Sequence, residues 1–182
     1  MPNKNIISIG LDLSLVGTGL IVLEDGIITE RRLIKSKPVP DGKPIDEVKR
    51  IRGIVEDIRK TVEEFKPTIA VIEGLAFMAR NSSALVQLSA LNYMTRAMLM
   101  DYNVPFIIVA PTSLKKYVTG NGGAKKDVML IETYKRWNVS ILDDNVCDAY
   151  ALAQVGLALM GGNTKNTVKF QDDVLELLVK QK

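Results

Sequence analysis

The sequence of 182 residues contains no histidine and a single cysteine. Without an imidazole, the chain has no histidine base or histidine zinc ligand, so carboxylate and metal chemistry is what remains available. Cys147 cannot form an internal disulfide, which is typical of a reducing compartment, and we expect a cytoplasmic protein. No apolar run reaches the roughly 20 residues of a membrane span, and no signal-peptide pattern precedes the first predicted strand, so no membrane association is expected.

The composition is typical of one globular domain, with 47% hydrophobic and 25% charged residues and a net charge of only +3. The basic residues are nevertheless clustered, at Arg31-Arg32 with Lys35 and Lys37, Lys49-Arg50 with Arg52, Lys115-Lys116 and Lys125-Lys126. Such clusters can bind a phosphate backbone, although a solvated surface is the more common meaning of any one of them.

Apolar periodicity predicts an α/β domain. A strand at 6–11, a turn at 17–19 and a hairpin at 25–26 predict three mainly antiparallel strands at the start. Beyond them we predict helices at 45–66, 82–101, 126–137 and 144–160, buried strands at 68–72 and 105–110, and a short helix or turn at 111–118. This order predicts a mixed sheet covered on both sides. We expect residues 1–160 to form the domain and 161–182 a C-terminal extension with a short packed helix.

Four acidic residues lie where the predicted elements change. Asp12 follows the first strand, Glu73 follows a buried strand, and Asp144 and Asp148 open the last long helix. Ligands of open α/β sheets gather beyond the carboxyl ends of strands, where carboxylate oxygens hold hard cations such as Mg²⁺. These four residues are therefore a candidate metal site.

Each acid also has a purely structural interpretation. A lone aspartate after a strand, such as Asp12, is usually a turn or helix-cap residue, and Asp144 is also explained as a cap of the last helix. Glu73 is harder to explain in this way, because a carboxylate emerging from a buried strand needs a metal or basic partner. Asp144 and Asp148 lie one helical turn apart and repel each other unless a cation lies between them, which favours a site.

The segment Gly120–Lys126 looks like a phosphate cradle, but G-x-x-x-x-G-K-[ST] is not matched, and we expect no nucleotide cofactor. Glycines beside lysines at the start of a helix suit a DNA or RNA phosphate equally well. Phe77, in the loop predicted after Glu73, could stack on a base, with burial in the core as the alternative.

These residues carry a resemblance to the RuvC-type Holliday-junction resolvases, a branch of the RNase H-like nuclease superfamily, from about Ile6 to Ala158. Four motifs occur in the family's order. They are Ile9-Gly10-Leu11-Asp12 with Thr18-Gly19, Ile72-Glu73 followed by Phe77-Met78-Ala79-Arg80-Asn81, the segment Val118–Lys126, and Asp148-Ala149-Tyr150-Ala151-Leu152-Ala153. The first motif departs from the family's D-P-G, and the second has one extra residue between acid and aromatic. The compact form resembles the resolvases of phages more than those of bacterial chromosomes.

The resemblance implies an RNase H-like mixed five-stranded sheet flanked by helices. It implies a structure-selective endodeoxyribonuclease of DNA recombination and repair that resolves four-way junctions by paired cuts leaving 5′-phosphates. Two Mg²⁺ ions, replaceable by Mn²⁺, would be held by Asp12, Glu73 and Asp148, together with Asp144 or Asn145. The family commonly has an acid or histidine at the place of Asn145, and we expect Asp144 to substitute because two cations favour an anionic ligand.

The resemblance further implies how branched DNA is bound. Lys115 and Lys126 correspond to the family's DNA-contacting lysines, and Phe77 would stack at the junction centre. Arg80, Lys116 and Lys125 are further candidate DNA contacts. Paired cuts imply a homodimer, for which the predicted helix at 82–101 is the candidate interface.

Three other functions remain open from the sequence. An RNase H-like nuclease acting on RNA or an RNA-DNA hybrid would share the acidic residues. An ATP-binding domain of the actin and sugar-kinase type also places an aspartate before a Gly/Thr turn, but needs about twice this length. A non-cleaving junction-binding protein would result if Asn145 breaks the metal site.

Overall fold

The computed structural model describes residues 5–39, 43–75, 83–162 and 167–180. Its centre is a five-stranded sheet in the order β3-β2-β1-β4-β5. The strands are β1 Ile7–Asp12, β2 Gly17–Glu24, β3 Ile27–Lys35, β4 Ile69–Glu73 and β5 Phe106–Val109. The first three are antiparallel, whereas β4 runs parallel to both β1 and β5. The predicted α/β fold with a mixed five-stranded sheet is therefore confirmed.

Helices cover both faces of the sheet. They are α1 Pro44–Phe65, α2 Ser83–Asp101, α3 Pro111–Thr119, α4 Lys126–Trp137, α5 Asp144–Leu159 and α6 Lys169–Val179. The apolar sides of α1 and α2 pack on one face, against residues such as Ile9 and Leu20. The helices α3 to α6 lie on the other face, against residues such as Ile21 and Val71. The segment predicted as a short helix or turn at 111–118 is helix α3.

Helix α5 lies very close to the sheet because glycines and alanines occupy the contact. A Cβ atom on Gly10 would overlap the backbone of Ala149, and one on Gly156 would overlap the Ser8 hydroxyl. Eleven residues of α5 are buried. Small side chains thus allow α5 to lie directly on β1 and β4, and this close packing fixes the N-terminal end of the helix relative to both strands.

Helix α6 packs on α3. Its buried residues Val174 and Leu178 share an apolar cluster with Leu114 and Tyr117 of α3. Among the helices of the described residues, none is both long and apolar enough to cross a membrane.

Candidate active site

Strand periodicity directs two of the predicted acids toward α5. Alternate residues of a strand share a face, so Asp12 lies on the same side of β1 as Ser8 and Gly10, which contact α5. Glu73 likewise shares its side of β4 with Val71, which lies against Gly156 of α5. Because β1 and β4 are adjacent and parallel, their carboxyl ends bring both acids to one edge of the sheet.

Asp148, in the second turn of α5, completes a cluster of three carboxyl groups, which we call the acidic cluster (Asp12, Glu73 and Asp148). Asp12 is buried, with 8% of its surface exposed, and the other two are partly buried. The carboxyl groups of Asp12 and Glu73 are within hydrogen-bonding reach of each other. The structure therefore brings together three of the four acids predicted from the sequence.

Burial and mutual repulsion make these carboxyl groups hard to ionise. Burial is the larger cause of the raised pKa of Asp148, which is about 7, and the charge of Asp12 adds to it. Burial also raises the pKa values of Asp12 and Glu73, and the neighbouring acids add repulsion. Two adjacent buried carboxyl groups are harder to ionise together than alone, which helps to keep the pKa values of Asp12 and Glu73 above their ordinary range.

Asp144 differs from the acidic cluster in its partner. It is the first residue of α5, and its carboxylate forms an ion pair with the amino group of Lys126. This hydrogen bond lowers the pKa of Asp144. The helix cap is Asp143, whose side chain accepts a hydrogen bond of 3.1 Å from the backbone N–H of Val146. The N-cap residue of α5 is therefore Asp143 and not Asp144, as the structural alternative had it.

Asn145 has a structural partner. Its side-chain N–H donates to the carbonyl oxygen of Gly17 at 2.8 Å. Gly19 lies against the backbone carbonyl of Asn145 so closely that a Cβ atom would overlap it. Asn145 thus ties the start of α5 to the first residues of β2, whereas Asp144 carries the charge beside the acidic cluster.

Two of the predicted DNA-contacting lysines lie close to the acidic cluster. The positive charges of Lys115 and Lys126 lower the pKa values of Glu73 and Asp148, partly offsetting the effect of burial. Lys115 is half-buried on α3, and the side chain of Lys126 is 73% exposed at the start of α4. These lysines could hold a phosphate next to the carboxyl groups.

The other predicted DNA contacts are placed differently. The amino group of Lys116 lies 3.7 Å from a carboxylate oxygen of Asp173 on α6, so it faces the C-terminal helix. Lys125 is exposed at the N-cap position of α4. Phe77 and Arg80 lie outside the described residues, between β4 and α2.

Sequence reasoning missed Arg50, which it grouped only with a basic cluster. The guanidinium group of Arg50, on α1, donates to the Leu15 carbonyl at 2.5 Å and to the Ser36 hydroxyl at 2.9 Å. These bonds fix the segment that follows Asp12. The sequence places Arg50 inside an amphipathic helix. It does not reveal the partners of Arg50, because they lie 14 and 35 positions away along the chain.

The donor set suits a hard divalent cation. All the side-chain ligand atoms are carboxylate oxygens. A bound cation would offset the energetic cost of burying these charges and their mutual repulsion in the acidic cluster. In the described part of the chain, however, no three Cys, Asp or Glu side chains have the spacing of a formed metal site. By the chemistry of their oxygens, the residues nevertheless fit a hard divalent cation.

Comparison with known proteins identifies the family of this chain. The family model "Crossover junction endodeoxyribonuclease RuvC" matches residues 8–156. A RuvC protein of Prochlorococcus marinus is 27% identical over 155 residues, which cover 84% of this chain and 98% of that protein. The RuvC protein of Chloroherpeton thalassium is 29% identical over 155 residues, covering 83% and 81% of the two chains.

Solved structures show the same fold at lower sequence identity. Thermus thermophilus RuvC superimposes with a TM-score of 0.69 at 18% identity, covering 86% of this chain and 98% of that one. The same protein in complex with a Holliday junction substrate gives 0.69 at 16% identity, covering 86% and 97%. The yeast mitochondrial Holliday junction resolvase gives 0.55 at 14% identity, covering 96% and 84%. With most of its length matched by the family model, the chain belongs to the RuvC family of crossover junction endodeoxyribonucleases.

Proposed function

We propose that this chain resolves four-way DNA junctions by paired strand cuts that leave 5′-phosphates. The observation that carries the proposal is the acidic cluster at the edge of the sheet with Lys115 and Lys126 beside it. Family membership supports it, as does the likeness to a RuvC protein that has been solved with a Holliday junction substrate.

A metal-dependent reaction is in keeping with the family, and the identity and number of the ions are part of the proposal. Asp12, Glu73 and Asp148, with Asp144 as the fourth ligand, would hold two Mg²⁺ ions, for which Mn²⁺ could substitute. Such ions would supply an activated water and would stabilise the charge that develops on the leaving 3′ oxygen.

Lys126 and Lys115 would bind the phosphate that is cut. Asp144 forms an ion pair with Lys126. If Asp144 held a cation instead, the amino group of Lys126 would be available to a phosphate oxygen. Lys115 is half-buried and already close to Glu73 and Asp148. Arg80, Lys116 and Lys125 would contact flanking DNA, and Phe77 would stack on a base at the crossover.

We also propose a homodimer formed through α2. Three large side chains of α2 are exposed at intervals of seven positions. They are Val86, Tyr93 and Met100, which are 70%, 65% and 66% exposed. Exposed Ala97 and partly buried Ala90, which also packs on the core, lie between them at alternating spacings of four and three residues, as in paired helices. A two-fold axis through this stripe would bury it and provide two active sites for two cuts.

The division of the chain is part of the same proposal. Residues 1–160 would form the nuclease domain and 161–182 the C-terminal extension, and the family match that ends at residue 156 supports this boundary. A cytoplasmic location would suit an enzyme acting on DNA with one free thiol, Cys147, which is buried.

The test is cleavage of a labelled immobile four-way junction beside a linear duplex and an RNA-DNA hybrid, each with Mg²⁺ or with EDTA. We expect symmetric nicks with 5′-phosphate ends in the junction alone, and only with the metal. Asp12→Asn serves as the inactive control. Preferential cutting of the hybrid would favour the RNase H-like alternative, and tight junction binding without cleavage in either Mg²⁺ or Mn²⁺ would favour a binding protein.

A further inference from the structure

Phe170, at the start of α6, lies on the turn that leaves α3. Gly120 ends α3 with a positive φ of 79°, and its N–H donates to the Lys116 carbonyl at 2.8 Å. A Cβ atom on Gly120 would lie 3.4 Å from the ring of Phe170. The half-buried ring of Phe170 therefore covers Gly120, whose left-handed backbone conformation and close contact with the ring both favour glycine.

Arg136 connects this contact to α4. Its guanidinium carbon lies 5.0 Å from the centre of the Phe170 ring, and its Nε donates to the Val118 carbonyl at 3.0 Å. Arg136 also lies over the ring of Trp137, at 5.9 Å. The side chain of Arg136 thus contacts the C-terminal ends of α3 and α4 and the N-terminal end of α6.

The segment between Gly120 and α4 is short and internally bonded. Asn121 accepts a hydrogen bond from Gly123 N–H at 2.9 Å, and the N–H of Ala124 donates to the Asn121 carbonyl at 3.1 Å. A Cβ atom on Gly122 would lie 2.9 Å from the Thr112 carbonyl, so the segment packs against α3. These contacts connect Gly120 with the start of α4, where Lys126 lies.

We propose that Phe170 is a positioning residue, through which α6 holds the segment 120–125 and thereby keeps Lys126 beside the acidic cluster. The apolar anchor of α6 on α3, through Val174 and Leu178, keeps the ring of Phe170 on Gly120. The family match ends at residue 156, before α6. The role of Lys126 in phosphate binding rests on the function proposed above, whereas the ordering of the segment does not.

The test compares Phe170→Ala with Leu177→Ala in the full chain. Leu177 is an apolar residue of the same helix that is 56% exposed, so its removal controls for general changes in α6. The first measurement is backbone hydrogen exchange in the DNA-free protein, which requires no enzymatic activity. In Phe170→Ala we expect about tenfold faster exchange at residues 121–126 and unchanged exchange in β1. In Leu177→Ala we expect the exchange of residues 121–126 to equal that of the wild type.

The second measurement is a double-mutant cycle with Lys126→Ala in junction binding and cleavage. Phe170→Ala should raise the KM for the junction roughly threefold to tenfold with little change in kcat, because a phosphate contact is held in both ground and transition states. Adding Phe170→Ala to Lys126→Ala should weaken binding no further, since the contact that it positions is already lost.

Unchanged hydrogen exchange at residues 121–126 in Phe170→Ala would overturn the proposal. So would a double mutant, Phe170→Ala with Lys126→Ala, in which the two losses of binding free energy add. Altered exchange in a protein that binds no junction would uphold the ordering of the segment and refute the proposed function instead. If Phe170→Ala does not fold, Phe170→Leu replaces it in both measurements, because it keeps an apolar side chain but removes the ring that faces Arg136.

Discussion

Replacing Asp148 by asparagine should stabilise the metal-free protein, although it removes a proposed metal ligand. Burial, followed by repulsion from Asp12, raises the pKa of Asp148 from its ordinary value of 3.8 to about 7. One pKa unit corresponds to about 1.36 kcal/mol, so ionising this group in the folded state costs at most about 4 kcal/mol. Because the residue is partly exposed and its neighbours share the charge, we expect a gain of about 2 kcal/mol for Asp148→Asn at pH 8.

The gain should depend on pH with a definite sign. The folded pKa of Asp148 lies above the unfolded one, so the folded state binds the proton more tightly. The wild type therefore loses stability as pH rises from about 4 through about 7, where the unfolded chain ionises first. Asparagine does not ionise, so the advantage of Asp148→Asn should grow across this interval and level off above it.

Urea unfolding at several pH values in EDTA measures this difference. The matched control is Asp101→Asn, which removes an exposed carboxylate at the end of α2 and should have little effect. Adding Mg²⁺ should stabilise the wild type more than Asp148→Asn, because only the wild type keeps the complete ligand set. A variant less stable than the wild type at pH 8 without metal, or an advantage independent of pH, would refute the reasoning.

Three further outcomes follow from the site. Asp12→Asn and Glu73→Gln should abolish junction cleavage in gel assays but leave junction binding largely intact; near-normal cutting would contradict the metal site. Asp144→Asn should lower cleavage by orders of magnitude at saturating Mg²⁺. Asn145→Ala should cleave well, but its free energy of unfolding should be about 1 kcal/mol lower because one hydrogen bond is lost. The reverse pattern of cleavage would make Asn145 the ligand. Lys126→Ala should reduce the slope of log binding constant against log salt by about 0.9, and an unchanged slope would argue against a phosphate contact.

The sequence predicted the fold well because its signals were local. Alternating and 3.6-residue apolar patterns identify each strand and helix from its own segment. The positions of Asp12 and Glu73 followed from the same reasoning, since the ends of adjacent parallel strands must lie at one edge of a sheet. Asp148 could be added because a buried alanine-rich helix has to pack on that sheet.

What the sequence could not predict depends on partners far along the chain. Asp143 and Asp144 are equally good caps in a sequence, and the backbone conformation at Asp143 decides between them. Lys115 and Lys116 are adjacent, but about 100° of helical rotation sends one toward the carboxyl groups and the other toward Asp173 of α6. The choice between neighbours with equal chemistry is made by tertiary packing.

The arrangement separates the groups that would hold metal from those that would hold DNA. The acidic cluster lies on β1, β4 and α5, whose close packing through glycine fixes the carboxyl groups against their mutual repulsion. The lysines lie on α3 and at the start of α4, which α6 supports from outside. Changes in the first group should therefore alter the chemical step and the stability of the core together. Changes around α6 should alter phosphate binding more than the chemical step, because α6 contacts α3 and the turn before α4, which carry the lysines.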